Sequence, residues 1–457
     1  MSTRAKLTMI VLLTVCMLAL VSMGASAATK TATVNVKCTT GKPVPVSLTM
    51  DEVRNVIGVD FAANWDSLKV VDESGEPVPF QLDDVDLSGS VSRRDEIAFL
   101  ATGPVKITVS DGAADKASFP AAFGTKTDDD GNTIIFSFDG TIEAKIGKYG
   151  TVDINRYKGE EHKYAKDLGM IRYAGFPYST YWFDKNLDRH EEKTTFEEPV
   201  RIVKAAVLAS GPARITAVAQ TASDLFPGLR QNLTVSIYKT GEIRVANSIV
   251  TAGYSDLSKL FTMCGGVMAD VEDAQHILPV FRWIDWAEEL NMSPEEYWGQ
   301  LGMIAKVDGA PYIAFADSRG PKPAWWGASY LFCSAERWRT NYSPKLGVGL
   351  AEALMELPEV PTDLADKIRA EGWHLEGEWR TGYFRWVPTE MVDVRQKNGI
   401  AVNITPDMAE GDWPLHAIPG YSMEHLNYYL LYEATDRAAA IRYLEARYQE
   451  LGSVAVQ

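Results

Sequence analysis

Short runs of β-branched and apolar residues, each broken by Gly, Pro or Asp, recur from Thr31 to Val250 and leave little room for helix. "TATVNVKC" (Thr31 to Cys38) and "VPVSLT" alternate or run apolar over strand lengths. "LKVVDESGEPVPFQLDD" sets two such runs about the turn residues "DESGEP". With "DEIAFLA" (Asp95 to Ala101) and "VKITVSDG" they predict a compact β unit over residues 28–125. Longer runs follow in "NTIIFSFDG", "TIEAKIGKYGTVDINRY", "VRIVKAAVLASGPARITAVAQT" and "LTVSIYKTGEIRVANSIV". Strands of that length joined by Gly turns predict a large antiparallel sandwich, here residues 126–434. "YKTGEIRV" reads as a hairpin. "DDDGN" (Asp128 to Asn132) reads as a tight turn, because it lacks the alternating ligand spacing of a calcium loop.

Helical texture enters only beyond Gly253. In "DWAEELNMSPEEYWGQL", Ser293 caps a turn begun by Pro294 and Glu296 completes a capping box; "PTDLADKIRAEG" is a second candidate. "TDRAAAIRYLEARYQELG" (Thr435 to Gly452) is the third, with Ala440, Tyr443, Leu444 and Tyr448 on one face and Gly452 as its stop; it defines a C-terminal segment over 435–457. The expected fold is therefore mostly β, with an N-terminal β-domain, a large antiparallel sandwich and a few peripheral helices.

Residues 1–27 read as a secretory leader: basic Arg4 and Lys6, the apolar stretch "LTMIVLLTVCMLALVSM", then Ala25-Ser26-Ala27 as the small-residue cleavage site. The expectation is a secreted or periplasmic protein with no membrane association after cleavage. Loss of the two leader cations takes the formal charge from −16 to −18. Such an acidic chain argues against nucleic acid as a partner, since phosphate binding needs a basic face. Cys38, Cys264 and Cys333 remain after cleavage, enough for at most one disulfide and spaced for no zinc site. The Asn-x-Ser/Thr sequons at Asn232, Asn291, Asn341 and Asn403 read as turn chemistry, the last three with Pro after the hydroxyl residue.

Two stretches carry a family likeness. "LKVVDESGEPVPFQLDD" followed by "RRDEIAFLATGPVKITV" resembles the N-terminal β-domain of secreted polysaccharide-degradation proteins, with its Gly-x-x-Val-Pro-x-Gln turn and its Asp-Glu before an apolar strand. "SGPARITAVAQT" followed by "NLTVSIYKTGEIRVANSIV" is similar to paired strands of galactose-mutarotase-like supersandwiches, found in sugar epimerases, several polysaccharide lyases and some glycoside hydrolases. The resemblance spans Thr31 to Val250 and implies a mutarotase-like sandwich and a sugar-related setting. It brings no catalytic motif, and fold alone does not fix activity.

The chemistry must then be sought in side-chain clusters. "YSTYWFDKNLDRHEE" (Tyr178 to Glu192) places Tyr178, Tyr181 and Trp182 beside Lys185, Arg189 and His190. A β-eliminating lyase needs a base for the proton alpha to a uronate carboxylate, a cation for that carboxylate and a donor for the leaving oxygen. His190 and Tyr181 fit the proton-handling roles, with Arg189 or Lys185 as the cation and Tyr178 and Trp182 as apolar faces for the ring. The bland alternative is a solvated hairpin whose charges pair with one another. Ten of the twelve tryptophans fall between Trp283 and Trp413. Of these, Trp325 and Trp326 in "PAWWGASY", together with Trp386, are the sugar-platform candidates. A hydrolase would instead use a carboxylate pair, Asp285 with Glu289 or Glu376 with Glu378, and an epimerase His374 and His416. The sequence shows no phosphate loop, no Gly-x-Ser-x-Gly elbow and no His-x-x-x-His. The reading is a polysaccharide lyase acting on a uronate-containing polymer without cofactor or metal, with a glycoside hydrolase or a non-catalytic glycan-binding protein as alternatives.

Overall fold

The computed structural model describes residues 27–58, 60–175, 181–183, 189–191, 201–224, 228–251, 257–268, 271, 273–279, 295–296, 299, 304–316, 338–356, 385–389, 399–403 and 421–457. Its central layer is a ten-stranded sheet. In spatial order its strands are Arg201–Val207, Arg214–Ala222, Leu229–Tyr238, Glu242–Thr251, Tyr421–Glu433, Val348–Glu356, Trp338–Ser343, Gln275–Pro279, Ala310–Ala316 and Ile304–Val307, and every neighbouring pair is antiparallel.

Alternation along these strands sends odd and even positions to different layers. Leu233, Val235, Ile243, Val245, Leu350 and Leu431 pack against Ile135, Val152, Ile154, Tyr164 and Leu168 of an eight-stranded sheet, which forms the second layer of the sandwich. Tyr238, Ala351, Ala353, Leu430 and Tyr432 face the other way, onto the N-terminal β-domain and the C-terminal helix. Trp338 joins that second core at 2% exposure, stacked on Tyr312 with ring centroids 6.0 Å apart. This indole fills an interior and offers no platform to a ligand.

The N-terminal domain pairs a four-stranded sheet, which includes Thr29–Asn35, Asn64–Asp72 and Val105–Ser110, with a three-stranded sheet of Val44–Thr49, Glu96–Ala101 and Phe80–Asp83. The fourth strand of the first sheet is Ala455–Val456, so the chain's last residues close on its first strand. Between the sheets lies α1 (Met50–Ile57), capped by Thr49 with Glu52 returning to the Thr49 N–H. The Thr49-x-x-Glu52 pattern signals it, but the surrounding strand texture hides it from a reading by periodicity. The C-terminal helix α2 (Arg437–Leu451) forms as expected, capped by the Asp436 carboxylate on the Ala439 N–H. Its buried Arg447 holds Glu242 at 2.7 Å and Glu450 at 2.7 Å.

The predicted turns are present. Asp128 accepts from the Asn132 backbone between Phe123–Thr127 and Thr133–Ser137, and Gly241, at φ 91°, closes the hairpin of Leu229–Tyr238 and Glu242–Thr251. The turn reading of the sequons does not survive. Asn232 and Asn341 lie within strands, Asn341 at 3% exposure, and Asn403 ends one, because β-pairing outweighs the local turn preference of Asn. Asn291 lies outside the described residues.

Candidate functional site

The two stretches that carry the family likeness meet physically. Arg214, from "SGPARITAVAQT", is fully buried, and its Nε donates to Asp83 at 2.8 Å. Its Nη2 donates to Glu96 at 2.7 Å, and its Nη1 to Ser47 and Tyr238 at 3.0 Å each. Gln81 accepts from the Arg214 backbone N–H and donates to Asp83 at 2.8 Å. Arg244 holds the other oxygen of Glu96 at 2.9 Å. Burial alone would raise the Glu96 carboxyl, but Arg244 and Arg214 outweigh it and bring it down to about 2. The Gln81, Asp83 and Glu96 motif residues are therefore the dock of the N-terminal domain on the large sheet.

The sequence-predicted site residues fall in several places. Tyr181, Trp182, Arg189 and His190 lie on a small hairpin, Tyr181–Phe183 with Arg189–Glu191, that forms a two-stranded sheet of its own. Its register sets Trp182 opposite His190, Tyr181 opposite Glu191 and Phe183 opposite Arg189. Trp386 is on the strand Arg385–Thr389, paired to Val402 at the edge of the eight-stranded sheet. Tyr178, Lys185, Trp325 and Trp326 lie outside the described residues, as do Asp285, Glu289, His374, Glu376, Glu378 and His416.

A different cluster stands out among the described residues. The sandwich-facing side of the large sheet should be apolar, yet a stripe of polar side chains crosses it. Thr221 donates to Gln231 at 3.0 Å, and Gln231 donates to Asn247 at 2.7 Å. Gln231 and Asn247 both donate to the Gly169 carbonyl, at 2.7 and 2.9 Å, and so tie the two sheets together. Gly169 sits at φ 92° where a Cβ would lie 2.5 Å from Leu233, which is why the opposing backbone approaches so closely. Asn247 pairs in register with His425 on the next strand. The His425 Nε2 lies 3.1 Å from the Asn427 Oδ1, and Asn427 and Tyr429 donate to Glu352 Oε1, Tyr429 at 3.1 Å. Arg339 flanks the second oxygen of Glu352 at 3.4 Å.

Burial sets the electrostatics of this stripe. Glu352 is 1% exposed, and desolvation pushes its carboxyl up to about 7, only partly offset by Arg339, Tyr429 and Asn427. Burial also lowers Arg339 to about 10 against the pull of Glu352. His425 is driven down to about 3 by burial, so it is neutral at physiological pH and its Nε2–H donates to Asn427. The chain from His425 through Asn427 fixes one carboxyl that can hold or release a proton near neutrality, the property expected of an acid–base group. The signal for it lay in "LAEALME" and "MEHLNYY", where Glu352, His425 and Asn427 occupy positions that alternation reserves for apolar residues.

For a cation, Asp84, Asp86 and Asp95 bring carboxylate oxygens within 4.8 Å of one another, but N–H groups of Ser88, Gly89 and Ser92 already bind these side chains.

No known protein family matches the sequence, and no curated protein matches it. Among solved structures, a galactose 1-epimerase from Lactobacillus acidophilus NCFM aligns with TM-score 0.35 and 12% identity over 69% of this chain and 100% of its own. An aldose epimerase homologue from C. elegans aligns with TM-score 0.30 and 10% identity, over 69% and 100%. Likeness at that level transfers no activity, and the mostly β architecture of stacked antiparallel sheets rests on this chain's own strand pairing.

Proposed function

We propose that this chain is an exported carbohydrate-active enzyme with a mutarotase-like sandwich, and that Glu352 is the group that moves a proton on its saccharide substrate. The observation that carries the reading is the buried stripe running from Gln231 to Arg339, with a carboxyl poised at about 7 at its centre. A carboxyl of that affinity accepts a proton at neutral pH far better than an ordinary glutamate. A saccharide substrate is the class that the sugar-related setting of the sequence resemblance implies. On a uronate polymer the step is β-elimination: the base takes the proton alpha to the carboxylate, a carbon–carbon double bond forms as the bond to the glycosidic oxygen breaks, and that oxygen takes up a proton from solvent water. Glu352 is the acceptor, Arg339 positions it, and the hairpin residues His190, Tyr181 and Arg189 are the sequence-derived alternative.

The test is product formation from a panel of uronate polysaccharides. Wild-type protein should generate the ultraviolet absorbance of unsaturated uronate ends. Glu352→Gln should lower that rate by about 10²–10⁴-fold, the usual contribution of a general base. A full rate in Glu352→Gln, with loss in His190→Ala and Tyr181→Phe, would move the base to the hairpin. New reducing ends without absorbance would replace elimination by hydrolysis.

A further inference from the structure

The opposite face of the large sheet holds a second feature. A cleft of about 350 Å³ opens between that face and the N-terminal domain. Its floor is two rows of directly paired residues. Gln220, Asn232, Ser248 and Glu424 are aligned across four strands, forming a ladder of amide, hydroxyl and carboxylate groups. The adjoining row is Val218, Thr234, Ala246 and Leu426, mostly apolar and small at its centre. Ala246 and Ser248 give the floor its depth, since larger side chains there would fill it.

The wall is the loop Val85–Leu87 with Thr49 and Arg94. Leu87 has φ 56°, a left-handed conformation unusual for a bulky residue, and the Lys204 Nζ donates to its carbonyl at 2.6 Å. The loop is thus fixed over the cleft at a cost in backbone strain, a pattern concentrated at ligand clamps. Charge around the cleft is slightly negative: Arg94, Lys204 and Arg244 stand against Asp86, Glu96, Glu356 and Glu424, and Arg244 and Glu96 are bound to each other.

A row of hydrogen-bonding groups beside a narrow apolar strip, of this volume, matches the two sides of a pyranose ring, hydroxyls at the edge and C–H groups on the face, and the one surplus carboxylate disfavours an anionic sugar. We infer that this cleft is a second, non-catalytic saccharide-binding site that takes a neutral sugar unit. Glu352 faces the other layer across the sheet's own backbone, and of its stripe His425 also borders the cleft.

The experiment is isothermal titration calorimetry of the full chain with neutral gluco-, manno- and galacto-configured tetrasaccharides, alongside a uronate tetrasaccharide. At least one neutral tetrasaccharide is expected to bind. Ala246→Trp should weaken that binding at least tenfold, whereas Glu352→Gln should bind it as wild type does. Asn232→Ala, which adds no bulk, should weaken it as well, and this variant decides the matter if Ala246→Trp fails to fold. The inference is overturned if no neutral tetrasaccharide binds, if only the uronate does, or if Ala246→Trp or a folded Asn232→Ala binds with wild-type affinity.

Discussion

Arg214→Met removes the cation that joins the N-terminal domain to the large sheet. The guanidinium is fully buried and makes four side-chain hydrogen bonds, at 2.8 Å to Asp83, 2.7 Å to Glu96 and 3.0 Å to both Ser47 and Tyr238. Methionine fills comparable volume, so the loss is electrostatic and not a cavity. Asp83 keeps Gln81 and Thr216, and Glu96 keeps Arg244 and Ser47, but both carboxylates stay buried, at 4% and 5% exposure. Removing one partner of a buried ion pair costs about 3–5 kcal/mol, and that is the expected destabilisation. Neutralising Asp83 too, with Asp83→Asn, should recover part of it, because Asp83 is the carboxylate left without a cation while Glu96 keeps Arg244, and the penalty comes from stranded charge and not from lost contact. Urea unfolding followed by tryptophan fluorescence measures the first effect. Hydrogen exchange in Glu96–Ala101 tests whether the docked strand opens first. A single variant losing less than about 1 kcal/mol, the level of an exposed pair, or a double variant weaker than the single one, would refute the argument.

Two further outcomes follow from the same interior. Because the Glu96 carboxyl lies below its ordinary 4.5, at about 2, its stabilisation is complete above the ordinary value and is lost as pH falls towards 2. Unfolding free energy should drop by roughly 3 kcal/mol across that window, and Glu96→Gln should flatten this part of the curve. Gly169→Ala meets both a left-handed backbone and a Cβ 2.5 Å from Leu233, and overpacking of this kind costs about 1–3 kcal/mol; thermal melting at equal concentration reads it, and an unchanged midpoint would contradict the close approach of the sheets.

Much of the architecture was legible because β-pairing imposes a period of two and turns demand Gly or Asp. "VPFQLDD" and "DEIAFLA" became paired strands, and "TDRAAAIRYLEARYQELG" became the C-terminal helix with Tyr443 and Tyr448 against its core. The face expected for that helix omitted Arg447 and Glu450, since composition gives no hint that a helix will bury an ion pair. The candidate site was less legible for a related reason. Attention to dense polar tracts favours loops, while Glu352, His425, Asn427, Asn247 and Gln231 are scattered over four strands and converge only when register is known. Each is a polar residue on the sandwich-facing side of a strand, and only cross-strand pairing makes them a cluster. Gln81 and Glu96 belong to a pattern visible in the sequence, but their role in docking, with that of Asp83, needs the position of Arg214.

The most direct measurement is the carboxyl carbon-13 shift of Glu352 as a function of pH, with selectively labelled glutamate and Glu352→Gln identifying the resonance. The account predicts a midpoint near the value of about 7 set by burial beside Arg339. A midpoint at the ordinary 4.5 would show a solvated carboxylate with no proton to exchange at neutral pH, and the acid–base role would fall with it.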